Sequence, residues 1–414
     1  MEVKEPDNLK MKSGKFQKLM KIALPSIITG GAGDDPAGVL TYTTIGATTG
    51  FSQLWLLILT TPMLAAAVSM ADRISRNTRS GLITVLRERH GRIAAGSIMT
   101  LLLLANIAVI SADVSAVAEV LQILTGIRWE WFVPFILVIL FLVFRAGYAH
   151  MKMLLAFFAM SLMVYAIAAI MARPNWVSVL NSTIMPNISF ERGWMLAALG
   201  LMGATVSPYM LFWQANEDVE EINEGGSIGE GSSMAVWIGM IFSNLISVFI
   251  IVAAAMALHQ SGGQISTVFD AAKALAPLGQ VGDFAFIIGI LGAGILALPV
   301  FMGTSAYAVA EVFGWREGLD EPVIHAKGFY VVLGLTLLGG ALISILPNFN
   351  PADALFYSQV FNGVLLPIIM VVLLMLSNDT RVIGTRRNPL WVNVFAVVTI
   401  LVALAANFAA LFGE

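Results

Sequence analysis

Three observations predict an all-α integral membrane protein. The chain of 414 residues is 58% hydrophobic and only 12% charged, about half the charge of a soluble domain, with a mean hydropathy of +0.84. Its apolar residues fall into about eleven windows, each near the roughly 20 residues that a spanning helix needs. Two of the windows, the first and the sixth, are interrupted by glycine, proline and small polar residues. Paired interruptions at corresponding positions of two halves point to inverted repeats with a binding site between them.

The windows lie near 18–48, 52–71, 94–123, 130–146, 151–172, 193–215, 233–258, 282–312, 328–346, 353–376 and 391–412. Residues 1–17 read as a polar, lysine-rich tail, too polar for a signal peptide. The whole of 1–414 reads as one transmembrane domain. Basic residues set the orientation. With the N-terminus inside, nineteen of the 23 lysines and arginines fall on the inner side. They cluster in the tail, at Arg73–Arg92, at Arg316 and Lys327, and at Arg381–Arg387. An odd number of spans then puts the C-terminus outside. The stretch Gln214–Ser233 reads as an acidic inner loop, which a rule based on lysine and arginine does not count. Zero cysteines exclude disulfides and thiolate metal sites. A net charge of −3 gives no reason to expect nucleic acid. The lipid bilayer is the expected partner. A short, loop-poor, cysteine-free chain fits a prokaryotic plasma membrane.

The first interruption, Gly30–Gly38, reads GGAGDDPAG. Pro36 lacks an N–H and turns Asp35 away from helix. Broken backbone inside a bilayer is tolerated only where it is buried in protein or lines a wet cavity. Two acids there, Asp34 and Asp35, mark a functional site. Carboxylates with freed carbonyls are oxygen ligands for a cation. Neighbouring residues diverge by about 100° on a helix, so the two acids need not face the same ion. The second interruption, Gly200–Met210, reads GLMGATVSPYM, with Pro208 as its breaker.

These residues carry a resemblance to the natural resistance-associated macrophage protein (NRAMP) family of divalent-metal transporters. Asp35-Pro36-Ala37-Gly38 stands at that family's Asp-Pro-Gly-Asn, and Ala204-Thr205-Val206-Ser207-Pro208-Tyr209 at its Ala-Thr-Val-Met-Pro-His. Thr41 and Gly46–Trp55 resemble its next stretch, Asn106–Asp113 its third helix, and Ser358-Gln359-Val360 with Leu366-Pro367 its tenth. The resemblance implies the leucine-transporter fold, with helices 1 and 6 broken. Residues 18–172 and 193–376 would be two inverted five-helix repeats and 391–412 an extra helix, working by alternating access. It implies that Asp35, the Ala204 carbonyl, position 207 and Gln359 line a metal site, together with Gly38; Asp34, beside Asp35, is a second acid where the family usually has an apolar residue. Thr205, Tyr209, Asn362 and Asp113 would support or gate that site.

The departures from the family pattern suggest the cation. The family's thioether ligand is Ser207 here and its asparagine ligand is Gly38. Thioethers suit softer metals, whereas oxygen donors suit Mg²⁺, Ca²⁺ or Mn²⁺. A wider, all-oxygen site suits Mg²⁺, which keeps several of its waters. The pattern resembles the NRAMP-related magnesium transporters. The two helix-six histidines of the family are Tyr209 and Gln214, and two third-helix acids are Asn106 and Ala116, leaving Asp113 with Glu119 nearby. The four histidines, His90, His150, His259 and His325, fall at helix ends or in loops. A proton relay through the membrane thus has few carriers, and the expected driving force is the membrane potential.

The expected function is transport of Mg²⁺, with Mn²⁺ as a further substrate. The alternatives are a proton-coupled Mn²⁺/Fe²⁺ symporter and an amino-acid or organic-cation transporter on the same fold. Two acids at the break argue against a carboxylate substrate. No enzyme motif such as His-Glu-x-x-His or Gly-x-Ser-x-Gly is present. No enzymatic activity and no cofactor are expected, the metal being cargo.

Overall fold

The computed structural model describes residues 35–146, 162–223, 231–259, 265–319, 321–384 and 387–412. Among them there is no strand. Fourteen α-helices follow in chain order. The first seven are α1 (Pro36–Thr49), α2 (Leu54–Thr78), α3 (Leu82–Thr125), α4 (Val133–Ala146), α5 (Met163–Met171), α6 (Trp176–Ile184) and α7 (Arg192–Thr205). The rest are α8 (Pro208–Asn223), α9 (Gly231–Ala257), α10 (Gln280–Phe313), α11 (Lys327–Ser344), α12 (Pro351–Asn378), α13 (Thr380–Ile383) and α14 (Leu390–Phe412). Short 3₁₀ segments at Trp129–Phe132 and Val268–Leu278 precede α4 and α10.

Eight helices among the described residues are long and apolar enough to cross a bilayer, and Trp129–Leu140 is a shorter apolar one. The first and fifth windows supply α1 and α5, and the rest of each window lies outside the described residues. Asp34 lies there too. Three sequence expectations need correction. The region between Arg73 and Arg92 is not simply a basic loop, because residues 82–90 are helical and join the rest of α3 at a kink at Gly91 (φ 86°, ψ 170°). The loop after window five contains α6, capped by Asn175. The acidic stretch after Gln214 begins as the last turns of α8, not as a loop. Acidic residues on a helix that has left the apolar layer hide its continuation from a hydropathy scan.

Hydrogen bonds sort the chain into two ends. At one end Arg76 meets Asp218 (3.1 Å), the Thr84 amide meets Glu311 (2.6 Å) and the Leu319 amide meets Glu220 (3.1 Å). At the other end Trp194 meets Ser52 (2.9 Å), His259 meets Ala47 (2.9 Å) and the Val268 amide meets Glu119 (3.3 Å). Each group joins segments that an eleven-pass topology places on the same side. The end bearing Arg73–Arg92 is called the basic end below.

Helices approach closely through small residues, as membrane helices do. A Cβ on Gly203 of α7 would lie 2.0 Å from the Gln359 carbonyl oxygen of α12. A Cβ on Gly363 of α12 would lie 2.2 Å from the Leu199 carbonyl oxygen of α7. These two glycines let α7 and α12 pack backbone to backbone beside the second break.

Candidate metal site

The site is built on two interrupted helices. Asp35 has extended geometry (φ −70°, ψ 168°) and caps α1, its Oδ1 accepting the Gly38 amide at 2.5 Å with Pro36 at the first helical position. An N-cap aspartate satisfies an otherwise orphaned donor, and the helix dipole favours its charge. The proline that forbids helix at Asp35 thus also starts α1 in register. A Cβ on Gly38 would approach Asp35 Oδ1 to 3.1 Å, so the glycine leaves the carboxylate room.

The second interruption separates α7 from α8. Val206 (φ −110°, ψ 59°) ends α7, and Pro208 begins α8. The Ser207 hydroxyl donates towards the freed carbonyls of Gly203 (2.9 Å) and Ala204 (3.0 Å). A hydroxyl has one proton and two lone pairs, so Ser207 can quiet the broken backbone and still offer oxygen to a cation. Thr205 donates to the Leu201 carbonyl at 2.7 Å and lies 3.3 Å from the Tyr42 hydroxyl, which ties α1 to α7.

Tyr209 and Gln359 converge on the other face of Asp35. Gln359 Nε2 donates to Oδ1 and Oδ2 at 3.3 and 3.2 Å, and the Tyr209 hydroxyl donates to Oδ2 at 3.5 Å. Asn362, one turn on, donates to Gln359 Oε1 at 3.0 Å. The Tyr209 ring packs on Phe301 of α10, with centroids 4.1 Å apart. All of these donors face a carboxylate that is 2% exposed.

Asp113 of α3 is fully buried. It lies close enough to the start of α1 to feel both the Ala37 amide and the charge of Asp35. A second buried carboxylate therefore stands near the first. Glu119, further along α3, spends one oxygen on the Val268 amide and has no partner for the other among the described residues. Asn106 is occupied elsewhere, donating to Phe301 and Ser305.

Of the residues singled out in the sequence, Asp35, Gly38, Tyr209, Gln359 and Asn362 are joined by hydrogen bonds. Ala204, Thr205 and Ser207 form the adjoining break, and Asp113 approaches Asp35 from α3. Asp34 lies outside the described residues. Sequence reasoning missed Tyr42, Phe301 and the Gly203–Gly363 contact. For the last a signal existed, since Gly363 follows Gln359 by one helical turn and Gly203 immediately precedes Ala204.

A helix that starts at a buried aspartate, packed beside a helix broken at Val206–Ser207 within a bundle of apolar spans, defines a multi-pass membrane transporter. Residues 26–413 match the family model described as natural resistance-associated macrophage protein-like, and the chain belongs to that family. A protein of Verminephrobacter eiseniae named divalent metal cation transporter MntH is 25% identical over 411 residues, covering 94% of this chain and 88% of that protein. A structure of the Eremococcus coleocola manganese transporter superposes with a TM-score of 0.75 at 20% identity, over 96% of this chain and 89% of the other. MhsT in complex with L-phenylalanine gives 0.63 at 13% identity, over 94% of this chain and 98% of the other. The fold is that of the leucine-transporter class. Members of the family are membrane transporters, so the chain is not an enzyme, and the ion it carries is substrate rather than cofactor.

Proposed function

We propose that this divalent metal cation transporter carries Mg²⁺, taken up partly hydrated beside Asp35. The observation that carries this reading is the donor set at the two breaks. The groups bonded to Asp35 are a backbone amide, a carboxamide and a phenol, and a hydroxyl stands at the second break. None offers sulfur or imidazole, which softer transition metals prefer. Among the described residues, no three histidine, cysteine, aspartate or glutamate side chains converge as a metal site. A small set of oxygens suits an ion that brings most of its own ligands, as Mg²⁺ does.

In this reading Asp35, the Ala204 carbonyl, Ser207 and a rotated Gln359 face the hydrated ion, with Asp34 and the space left by Gly38 beside them. Tyr209, Thr205 and Asn362 orient these groups, and Asp113 adds a second negative charge. The basic end is cytoplasmic, the N-terminus is inside and the C-terminus outside. Residues 18–172 and 193–376 act as the inverted repeats of one domain, 391–412 being the extra helix. Uptake is not strictly coupled to protons and draws on the membrane potential, about 4.6 kcal/mol per 100 mV for a dication, twice the single-charge value.

Manganese is the second reading, favoured by the MntH and manganese-transporter relatives. Uptake of Mg²⁺, Mn²⁺ and Ca²⁺ into proteoliposomes under an inside-negative potential separates the two. Saturable Mg²⁺ uptake that disappears in Asp35→Ala, without accompanying acidification, is the expected result. Uptake of Mn²⁺ without Mg²⁺, or stoichiometric proton entry, refutes the proposal.

A further inference from the structure

The first turns of α3 form a short amphipathic helix, residues 82–90, set off from the spanning part by the Gly91 kink. Leu82, Ile83, Val85 and Leu86 are buried, while Glu88, Arg89 and His90 are exposed. Its start is held by α10. Oε2 of Glu311 accepts the Thr84 amide at 2.6 Å, one of the donors that a helix N-terminus leaves unpaired. Arg87 donates in return to the backbone carbonyl of Glu311, within the last turn of α10. An acid thus meets a helix N-terminus and a base meets a helix C-terminus, each the favourable sense for the dipole.

The same point reaches α8. A Cβ on Gly81 would lie 2.2 Å from Glu311 Oε1 and 2.5 Å from Asn216 Oδ1, so a side chain here would push both of these side-chain ends aside. Asn216 lies eight residues beyond Pro208, which is about 12 Å along α8 from the second break. Further contacts secure α8 at that level. Asp218 takes Arg76 (3.1 Å) and Ser75 (3.3 Å) from α2, and Glu220 takes Tyr307 from α10. The helix that begins at the cation site is therefore fastened at its other end to α2, α3 and α10.

We propose that Glu311 is a positioning residue that clasps helix 82–90 beneath α8, and that releasing this clasp opens the cation path towards the basic end. The proposal rests on the reading of the Asp35–Ser207 region as the cation site. The clasp is suited to release. Glu311 is 2% exposed, and its carboxylate draws on both the start of helix 82–90 and Asn216 of α8. Taking a carboxylate out of water costs desolvation that offsets much of what its hydrogen bonds contribute, so such a junction sits near energetic balance.

The chain has no cysteine, so one reporter thiol can be placed cleanly. Ala215 on α8 is fully buried, and Ala215→Cys is the reporter. Its reaction with a membrane-impermeant thiol reagent applied to the basic end is measured in vesicles of known orientation. The backgrounds are otherwise wild type, Gly81→Ala, which evicts the carboxylate, and Glu311→Gln, which keeps its size and removes its charge. Loss of a hydrogen bond to a charged group moves a two-state population by about tenfold, so labelling from that end should rise by about that factor in Gly81→Ala and less in Glu311→Gln. Unchanged labelling in both variants, or a rise only from the opposite end, overturns the proposal. If Gly81→Ala fails to yield folded protein, Glu311→Gln decides alone. The readout needs no cation, so its failure is distinct from failure of the Mg²⁺ reading, which Asp35→Ala uptake tests.

Discussion

Replacing Gly203 with alanine should disable transport while leaving every proposed cation ligand chemically intact. The added methyl would lie 2.0 Å from the Gln359 carbonyl oxygen and 2.5 Å from the Gly363 amide nitrogen. Both are backbone atoms that cannot swing aside. Ordinary contact begins at 3.4 Å, so the shortfall is about 1.4 Å, and α7 and α12 must part by a similar distance. Overpacking of this kind costs about 1–3 kcal/mol. The functional cost is larger. Gln359 holds Asp35 from α12, while the Gly203 carbonyl accepts Ser207 on α7. Forcing these helices apart pulls the two halves of the site away from each other. A 1 Å misplacement in a positioned site costs about 100-fold in rate, and uptake should fall by that order. The assay is initial-rate Mg²⁺ uptake in proteoliposomes, alongside thermal unfolding of the purified protein. Gly334→Ala and Gly339→Ala on α11 serve as controls, because nothing lies within 4 Å of a Cβ at either position, and alanine there should be neutral or slightly stabilising. Wild-type uptake by Gly203→Ala would refute the claim that the α7–α12 contact sets the site.

Three further outcomes are expected. Ser207→Met supplies a thioether and removes the hydroxyl that bonds Gly203 and Ala204; competition uptake should show the Mn²⁺:Mg²⁺ preference rising about tenfold, and an unchanged ratio would count against position 207 as a selectivity determinant. Asp113→Asn removes a buried charge that repels Asp35; calorimetry without metal should show a more stable protein, while titration shows Mg²⁺ affinity about tenfold weaker. Glu317 lies in the loop after α10, and burial, with repulsion from Glu311 and Glu220 only partly offset by Arg87, raises its carboxyl from 4.5 to about 9. Between those values the folded protein holds a proton that the unfolded chain releases, so this group makes stability fall as pH rises. Glu317→Gln should flatten the decline of the thermal midpoint between pH 5 and 9, and identical pH profiles would show that the loop acid does not set it.

The sequence disclosed the breaks more readily than the joints. Pro36 after an acid and Pro208 after a small polar residue announce non-helical backbone, since a proline ring acts on the residue before it whatever the tertiary context. Hydropathy located the long spans because burial in lipid demands uninterrupted apolar residues. It missed helix 82–90, whose charged outer face averages away its apolar side, and it ended α8 too early at the acidic residues after Gln214. The side chains proposed for the site stand out in the sequence, but the hydrogen bonds among them do not. That Gln359 donates to Asp35 while accepting from Asn362 depends on how α12 sits against α1. That arrangement depends on two glycines whose significance appears only when their missing Cβ atoms are set against a neighbouring helix.

The pairing of Asp35 with Asp113 bears on why the cargo should be a dication. Asp35 is satisfied by α1 and by neutral donors from Tyr209 and Gln359, whereas Asp113 draws on the Ala37 amide at the start of α1. Neutral donors soften a buried charge but do not cancel it, and a carboxylate within a membrane is costly. Two carboxylates can offer at most two negative charges, which one divalent ion balances and a monovalent one only half balances. Gln359 then offers a way for occupancy to be felt beyond the ion. Its Nε2 donates to Asp35 and its Oε1 accepts from Asn362. An arriving cation repels the amide hydrogens and attracts the oxygen, so binding favours rotation of the carboxamide and frees Asn362. The change is confined to α12, which also touches α7 at Gly203. A single amide rotation therefore couples the charge at the first break to the packing at the second.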